Sequence, residues 1–135
     1  MNVSIFFFVT VIFLTLFNGF NIGIKGNYIS RTFIDLPVSL IKSCVLVNEE
    51  SYDENSSYFD KNKLEENVKE YLTINLKEHV ESYNLSFYYF YYDENLDLIY
   101  DLGNYPKNVQ IHFNADIYKN IDIDKYLVFT MEDLF

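Results

Sequence analysis

The first 24 residues contain no charged side chain, and this segment limits the possible folds more than any other part of the chain. Between Val3 and Phe17, 12 of 15 residues are apolar, and the run is interrupted only by Ser4, Thr10 and Thr15. A helix over residues 1–24 would be about 36 Å long at 1.5 Å per residue, enough to cross a hydrocarbon core of about 30 Å. The sequence therefore predicts a transmembrane anchor that contacts membrane lipid through residues 1–24.

A cleaved signal peptide is the alternative interpretation of this segment. Such a peptide has a basic n-region and a cleavage site with small residues. Here the residues before the apolar run are uncharged, and Phe17-Asn18-Gly19-Phe20 is a poor cleavage context, so retention is favoured. Gly19 and Gly23 match the G-x-x-x-G pattern through which two helices can approach closely. A loosened helix end near the membrane surface explains the same two glycines and is the favoured interpretation.

Charge divides the chain sharply. Residues 49–135 hold 7 basic and 19 acidic side chains, a net charge of −12, whereas residues 1–48 carry a net charge of +2. An acidic surface repels phosphate backbones, so nucleic acid is not an expected partner. Lys25, Arg31 and Lys42 follow the span and none precedes it. This distribution would place the C-terminal part in the cytoplasm by the positive-inside rule.

The spacing of apolar residues predicts two helices after the anchor. Steps of three and four residues across residues 25–48 indicate an amphipathic helix that continues the anchor, with a break near residues 35–36 because Pro37 lacks a backbone donor. Residues 48–58 are polar and predict a loop. A second helix is capped by Asp60 or Asn62. Its apolar stripe consists of Leu64, Val68, Tyr71, Leu72, Val80 and Tyr83.

From residue 85 the apolar period changes to two, which predicts strands. The predicted strands are residues 85–92, 96–100, 109–117 and 126–131, with turns at residues 93–95 and 103–108. The expected fold is therefore α+β, in which a transmembrane helix continues as a long amphipathic helix and is followed by a second helix and an antiparallel sheet of three to four strands. The expected parts are an anchor (residues 1–24), an amphipathic helix extending from the membrane (25–48) and an acidic α+β domain (49–135).

The sequence shows no pattern typical of catalysis or of cofactor or metal binding. His79 and His112 have no companion at metal-ligand spacing. Asp53, Asn55, Ser57 and Asp60 resemble a calcium loop, but Tyr58 occupies the place of the required glycine. Asp122 and Asp124 are expected in an exposed turn. We therefore expect no catalytic residue, no cofactor and no metal site, and we do not expect an enzyme.

The sequence favours protein–protein contact over catalysis as the mode of action. The aromatic strand carries Phe87, Tyr89 and Tyr91, which could act as interface anchors. The alternative is that both faces of this strand lie inside the protein, and it is somewhat favoured. Cys44, the single cysteine, is expected to be a small buried hydrophobic residue, with an intermolecular disulfide as the alternative.

The order of elements resembles a known family. A hydrophobic N-terminal helix that leaves the membrane and packs on a small antiparallel sheet is similar to the TadE-like minor pilins of Tad/Flp-type pilus and secretion systems. The residues that carry the resemblance are 28–44 after the span, Phe59-Asp60 with Leu64, Val68, Tyr71-Leu72 and Asn75-Leu76, and the strand Val109-Gln110-Ile111. The resemblance implies a cytoplasmic-membrane anchor, an external C-terminal domain, and envelope or pilus-like subunits as partners. The sequence differs from processed members of the family, which usually carry a Glu just inside the hydrophobic segment.

The alternation in residues 109–117 generates a direct test. Phe113→Asp, on the inward face, is expected to abolish the folded protein because a charge would be buried, whereas Asn114→Asp is expected to be tolerated. Expression and thermal unfolding of the two full-length variants measure this. Equal behaviour would mean that the inward face has been assigned incorrectly.

Overall fold

The computed structural model describes residues 2–48, 57–76, 80 and 82–135. It confirms an α+β fold with a long apolar N-terminal helix, a further helix, and antiparallel sheets of two and four strands. In chain order the elements are α1 (Asn2–Ile34), α2 (Val38–Lys42), β1 (Val45–Val47), β2 (Ser57–Phe59), α3 (Lys61–Leu76), β3 (Tyr83–Tyr92), β4 (Leu98–Tyr100), β5 (Asn108–Tyr118), β6 (Ile121–Thr130) and α4 (Met131–Leu134).

Helix α1 is continuous from the apolar segment into the domain. Nearly all of its large apolar side chains from Val3 to Ile24 are exposed, whereas Ile29 and Phe33 are fully buried. Among the described residues it is the one helix long and apolar enough to cross a membrane. The helix ends at Ile34, and Pro37 forms the N-cap of α2, which confirms the predicted break.

The amphipathic helix predicted to reach residue 48 is wrong at its C-terminal end. Helix α2 ends at Lys42, and Val45 pairs with Phe59 in the two-stranded sheet of β1 and β2. Two β-branched residues in a three-residue segment favour an extended backbone, and pairing with β2 satisfies it. The predicted loop over residues 48–58 is likewise wrong for Ser57 and Tyr58, which belong to β2, and its residues 49–56 lie outside the described ranges.

Helix α3 begins where the capping prediction placed it. The backbone N–H of Lys63 donates to the Asp60 carboxylate over 3.4 Å, so Asp60 is the cap and Asn62 lies inside the helix. The buried side of α3 consists of Leu64, Val68, Leu72 and Leu76. The predicted apolar stripe extended too far along the chain, because Tyr83 is the first residue of β3.

The four-stranded sheet has the order β4-β3-β5-β6, with every neighbouring pair antiparallel. Strand β6 begins at Ile121, five residues before the predicted start at 126, and a two-residue connection joins it to β5 between Tyr118 and Ile121. Asp122 and Asp124 therefore lie in a strand and not in the predicted exposed turn. Their charges obscured the apolar alternation, because this part of an edge strand is exposed on its outward positions.

Met131, predicted as the last strand residue, is instead the first residue of α4. The hydroxyl of Thr130 accepts a hydrogen bond from the backbone N–H of Asp133 at 3.1 Å. A threonine in this position caps the first turn of a helix and so ends the strand.

One face of the four-stranded sheet, here called the inner face, carries the core and is covered by α1 and α3. The alternation predicted for β5 is confirmed, because Val109, Ile111, Phe113 and Ala115 are all buried. The ring of Phe33 on α1 stacks on Phe113 with 4.9 Å between centroids. Close to the apolar segment, a Cβ atom on Gly26 would lie 3.1 Å from Cδ1 of Ile117, so a glycine lets α1 approach β5 closely here.

The contact between α1 and the sheet predicts a contrast between neighbouring residues. Phe33→Ala is expected to lower the free energy of unfolding by about 3–5 kcal/mol, because it leaves a cavity under the sheet. Ile34→Ala is the matched control, since Ile34 is 48% exposed, and should change the free energy of unfolding by no more than about 0.5 kcal/mol. Denaturant unfolding of the full-length chain in detergent, followed by near-ultraviolet circular dichroism, compares them. Similar losses for both variants would contradict the observed packing of α1.

Candidate protein interface

The aromatic strand β3 presents its residues alternately to the two faces of the sheet. Of the three residues predicted as interface anchors, Tyr89 is buried and Phe87 is half-buried against the core. Both belong to the inner face, where they pack with the core. Tyr91 shares their phase but lies at the end of the strand and is 44% exposed. Contact between Tyr91 and a partner stays a prediction.

Tyr89 is held in place by α3. Its hydroxyl donates to the Glu65 carboxylate over 3.2 Å, and the Lys61 ammonium lies 4.8 Å from its ring centroid. Burial raises the pKa of Tyr89 well above its ordinary value, and the negative charge of Glu65 raises it further. The phenol therefore stays protonated at physiological pH and acts as a structural donor.

The opposite face of the sheet is strongly aromatic towards its β4 edge, and none of the described helices packs on it. Pairing between strands places Tyr88, Tyr92, Leu98 and Tyr100 together on this face, with exposures between 41% and 64%. Phe90 lies among them but is buried, with its ring edge against Tyr92 at 5.7 Å. The following residues form what we call the outer aromatic face: Tyr88, Phe90, Tyr92, Leu98, Tyr100, Tyr126 and Val128. Tyrosines that are rigidly placed by a strand and half exposed are typical of protein interfaces.

Polar side chains occupy the rest of the same face. His112 binds the Asp124 carboxylate through Nε2 and stacks on Tyr126 with 4.2 Å between centroids. The side-chain amide of Asn114 donates to Asp122 over 3.0 Å. These pairs link β5 to β6 across the ladder. His112 is thus a partner of a carboxylate within the sheet.

Acidic residues flank the outer aromatic face at the β3–β4 hairpin. The Asp93 carboxylate accepts the backbone N–H groups of Asn95 and Asp97, each at 2.9 Å, and so shapes the turn. Leu96 has φ 63°, a left-handed conformation that this turn imposes. Asp93, Glu94, Asp97 and Asp101 place four carboxylates beside an apolar surface.

The sequence contained a signal for the correct face that the prediction did not use. Asn84 and Ser86 are polar, while Leu85 and Phe87 between and after them are apolar. This start of the strand shows that even-numbered positions face away from the core. The same phase leads along the strand to Tyr88 and Tyr92, which the structure places on the outer aromatic face.

The structure also gives the surroundings of the other residues that the sequence singled out. A Cβ atom on Gly19 or Gly23 would have nothing within 4 Å, so both glycines are open and their contact with a second helix stays a prediction. Cys44 is fully buried, as expected for a small hydrophobic residue, and its Sγ lies 3.3 Å from the Leu40 carbonyl oxygen. A disulfide to another chain would require this region to open. His79, together with Asp53 and Asn55 of the segment that resembles a calcium loop, lies outside the described residues.

Within the described ranges, no group of three or more His, Cys, Asp or Glu side chains is arranged to hold a metal ion. Comparison with family models, with curated proteins and with solved structures finds no match to this chain.

Proposed function

We propose that the chain is a non-enzymatic, single-pass membrane protein of the envelope, pilin-like in architecture, that acts through contacts with other envelope or pilus-like subunits. The observation that carries this proposal is the continuity of α1. The first part of this unbroken helix, up to Ile24, is apolar and largely exposed. Its second part, from Ile29, packs in the domain core.

The exposed half of α1 supports a lipid environment. Large apolar side chains cover all sides of this half, and the domain covers none of the most apolar stretch. A soluble protein rarely exposes an apolar surface of this extent. In a bilayer the same side chains meet hydrocarbon, and the backbone groups are satisfied within the helix.

The outer aromatic face supports a protein partner of complementary chemistry. Its half-exposed tyrosines provide an apolar centre, and the carboxylates of the β3–β4 hairpin lie beside it. A partner surface with an apolar patch bordered by Lys or Arg fits this arrangement, because opposite charges steer association and fix orientation. We therefore propose another envelope subunit with a basic border as the partner, and the −12 charge of residues 49–135 disfavours self-association through this face.

A second candidate is an accessory subunit of a membrane complex whose domain faces the cytoplasm. The specific observation in its favour is charge, since Lys25, Arg31 and Lys42 all follow the span. A third candidate is a secreted binding protein, which requires removal of the apolar segment.

Anchoring is tested by alkaline extraction of membranes from the native host, followed by measurement of the intact mass. We expect the full-length mass in the extracted pellet, because the apolar half of α1 stays in the bilayer. A mass shortened by roughly 20 residues, recovered from the culture supernatant, would contradict the anchor and support the secreted alternative.

Orientation is tested in the same host with Leu102→Cys. Leu102 is 92% exposed, so a cysteine there should react with a membrane-impermeant maleimide on intact cells if the domain is external. The parent protein is the matched control, because its single Cys44 is buried and should stay unlabelled. Labelling of Leu102→Cys in lysed cells alone would overturn the external placement and support the cytoplasmic subunit.

The partner surface is tested by native electrophoresis of membranes solubilised in mild detergent. The parent should migrate in a complex larger than the monomer, and Tyr88→Ser with Tyr100→Ser should reduce that complex about tenfold, since exposed tyrosine anchors contribute strongly to binding. Ile74→Ser on α3 is the control, because Ile74 is 67% exposed and lies away from the sheet. Monomeric migration of every variant, the parent included, would contradict a contact function.

A further inference from the structure

We propose that the β5–β6 turn and the adjoining part of α1 form a membrane-contacting surface that binds the headgroup of an anionic phospholipid. This inference rests on the proposed anchoring of α1. It concerns a different end of the domain from the outer aromatic face, and lipid rather than protein is the partner.

The position of the turn follows from contacts with α1. Ile24 is the last residue of the uncharged segment, and Gly26 lies against Ile117 near the end of β5. The ammonium of Lys25 donates to the Ile117 carbonyl oxygen over 3.5 Å. With α1 across the bilayer, the β5–β6 turn lies at the level where the helix leaves the hydrocarbon.

The side chains at this level are those that membrane surfaces favour. Tyr118 and Ile121, on either side of the two-residue connection, are 49% and 47% exposed. The ammonium of Lys119 lies 5.6 Å from the Tyr118 ring centroid. Tyrosine rings and lysine side chains are enriched where protein meets lipid headgroups. An exposed isoleucine beside them can enter the acyl boundary.

A cavity opens between the two lysines. It has a volume of about 290 Å³ and is lined by Lys25, Ser82, Asp116, Ile117, Tyr118 and Lys119. Among the described residues that line this cavity, two ammonium groups and one carboxylate give an excess of positive charge, although the domain as a whole is strongly acidic. A lipid phosphate provides the complementary charge, and Ser82 offers a hydroxyl donor beside it.

The carboxylates of the β3–β4 hairpin do not oppose this contact. The β3–β4 hairpin lies at the other end of the sheet, because β5 runs from Asn108 beside Phe90 to Tyr118 at the turn. Eleven strand residues separate the two ends by about 33 Å at roughly 3.3 Å per residue, several times the Debye length of about 8 Å at physiological salt. Repulsion between the hairpin carboxylates and anionic lipid is therefore screened.

The absence of tryptophan from the chain permits a specific probe. Full-length Tyr118→Trp is reconstituted in phosphatidylcholine vesicles that also contain headgroup-spin-labelled phosphatidylcholine, and its tryptophan fluorescence should be quenched. Tyr105→Trp is the matched control, because Tyr105 is 48% exposed and precedes the far end of β5, so its fluorescence should be unaffected. Equal quenching of the two tryptophans, or none for Tyr118→Trp, overturns the proposal.

Selectivity is tested by replacing the labelled lipid with headgroup-region-labelled phosphatidylglycerol. Quenching of Tyr118→Trp should be stronger with the anionic lipid, by roughly fivefold in apparent affinity for each lysine. Lys25→Gln with Lys119→Gln should remove that preference, whereas Lys125→Gln, on the exposed middle of β6, should retain it. Equal quenching by the two lipids in the parent background overturns a headgroup site.

Flotation of the vesicles separates this inference from the proposal on which it rests. Protein that fails to float with the vesicles contradicts anchoring by α1. Protein that floats while the Tyr118→Trp fluorescence is unquenched contradicts only the membrane-contacting surface.

Discussion

Burial of Ile29 and Phe33 beneath the four-stranded sheet is the interaction on which the other features depend. These two residues lie on the same helix as the exposed apolar segment. The C-terminal part of α1 therefore belongs to the domain core, and its N-terminal part extends beyond the domain. The stack of Phe33 on Phe113 fixes the position of the sheet along the axis of α1. The close approach at Gly26 fixes the end of β5 beside the last apolar turn. Because α1 is a core element, the acidic sequence that begins at Glu49 does not mark the beginning of the folded unit.

Because α1 and α3 both pack on the inner face of the sheet, the side chains of the other face are left for contact with solvent or another molecule. The odd-numbered residues of β3, which include Phe87 and Tyr89, lie on the inner face and pack with α1 and α3. The even-numbered residues are left as an aromatic surface bordered by carboxylates at the hairpin. At the opposite end of the sheet, Lys119 in the β5–β6 turn and Lys25 on α1 line one cavity with Asp116.

The sequence predicted those parts of the fold where local pattern and tertiary burial agree. The apolar period of two in β5, the break before Pro37 and the cap at Asp60 each follow from neighbouring residues, and the structure confirms them. Strand β1 could not be predicted, because three residues carry little periodicity and their pairing partner, β2, is distant in sequence. The start of β6 was hidden by Asp122 and Asp124, whose side chains are stabilised by Asn114 and His112 on the neighbouring strand. For the candidate interface, Asn84 and Ser86 indicated the phase of the aromatic strand, but the prediction chose the odd-numbered positions, whereas the structure exposes Tyr88 and Tyr92.

The antiparallel packing of α1 against β5 also has a mechanical consequence. Phe33 contacts the middle of β5 and Gly26 contacts its end, so the helix and the strand run side by side in opposite directions. A pull on the apolar segment along the helix axis would load both contacts at the same time, in shear. Sliding α1 by one turn would move Phe33 about 5.4 Å away from Phe113, with a loss of several packed contacts in a single step. A load applied between the apolar segment and the domain would therefore be resisted by both contacts together, and would not break them one after another.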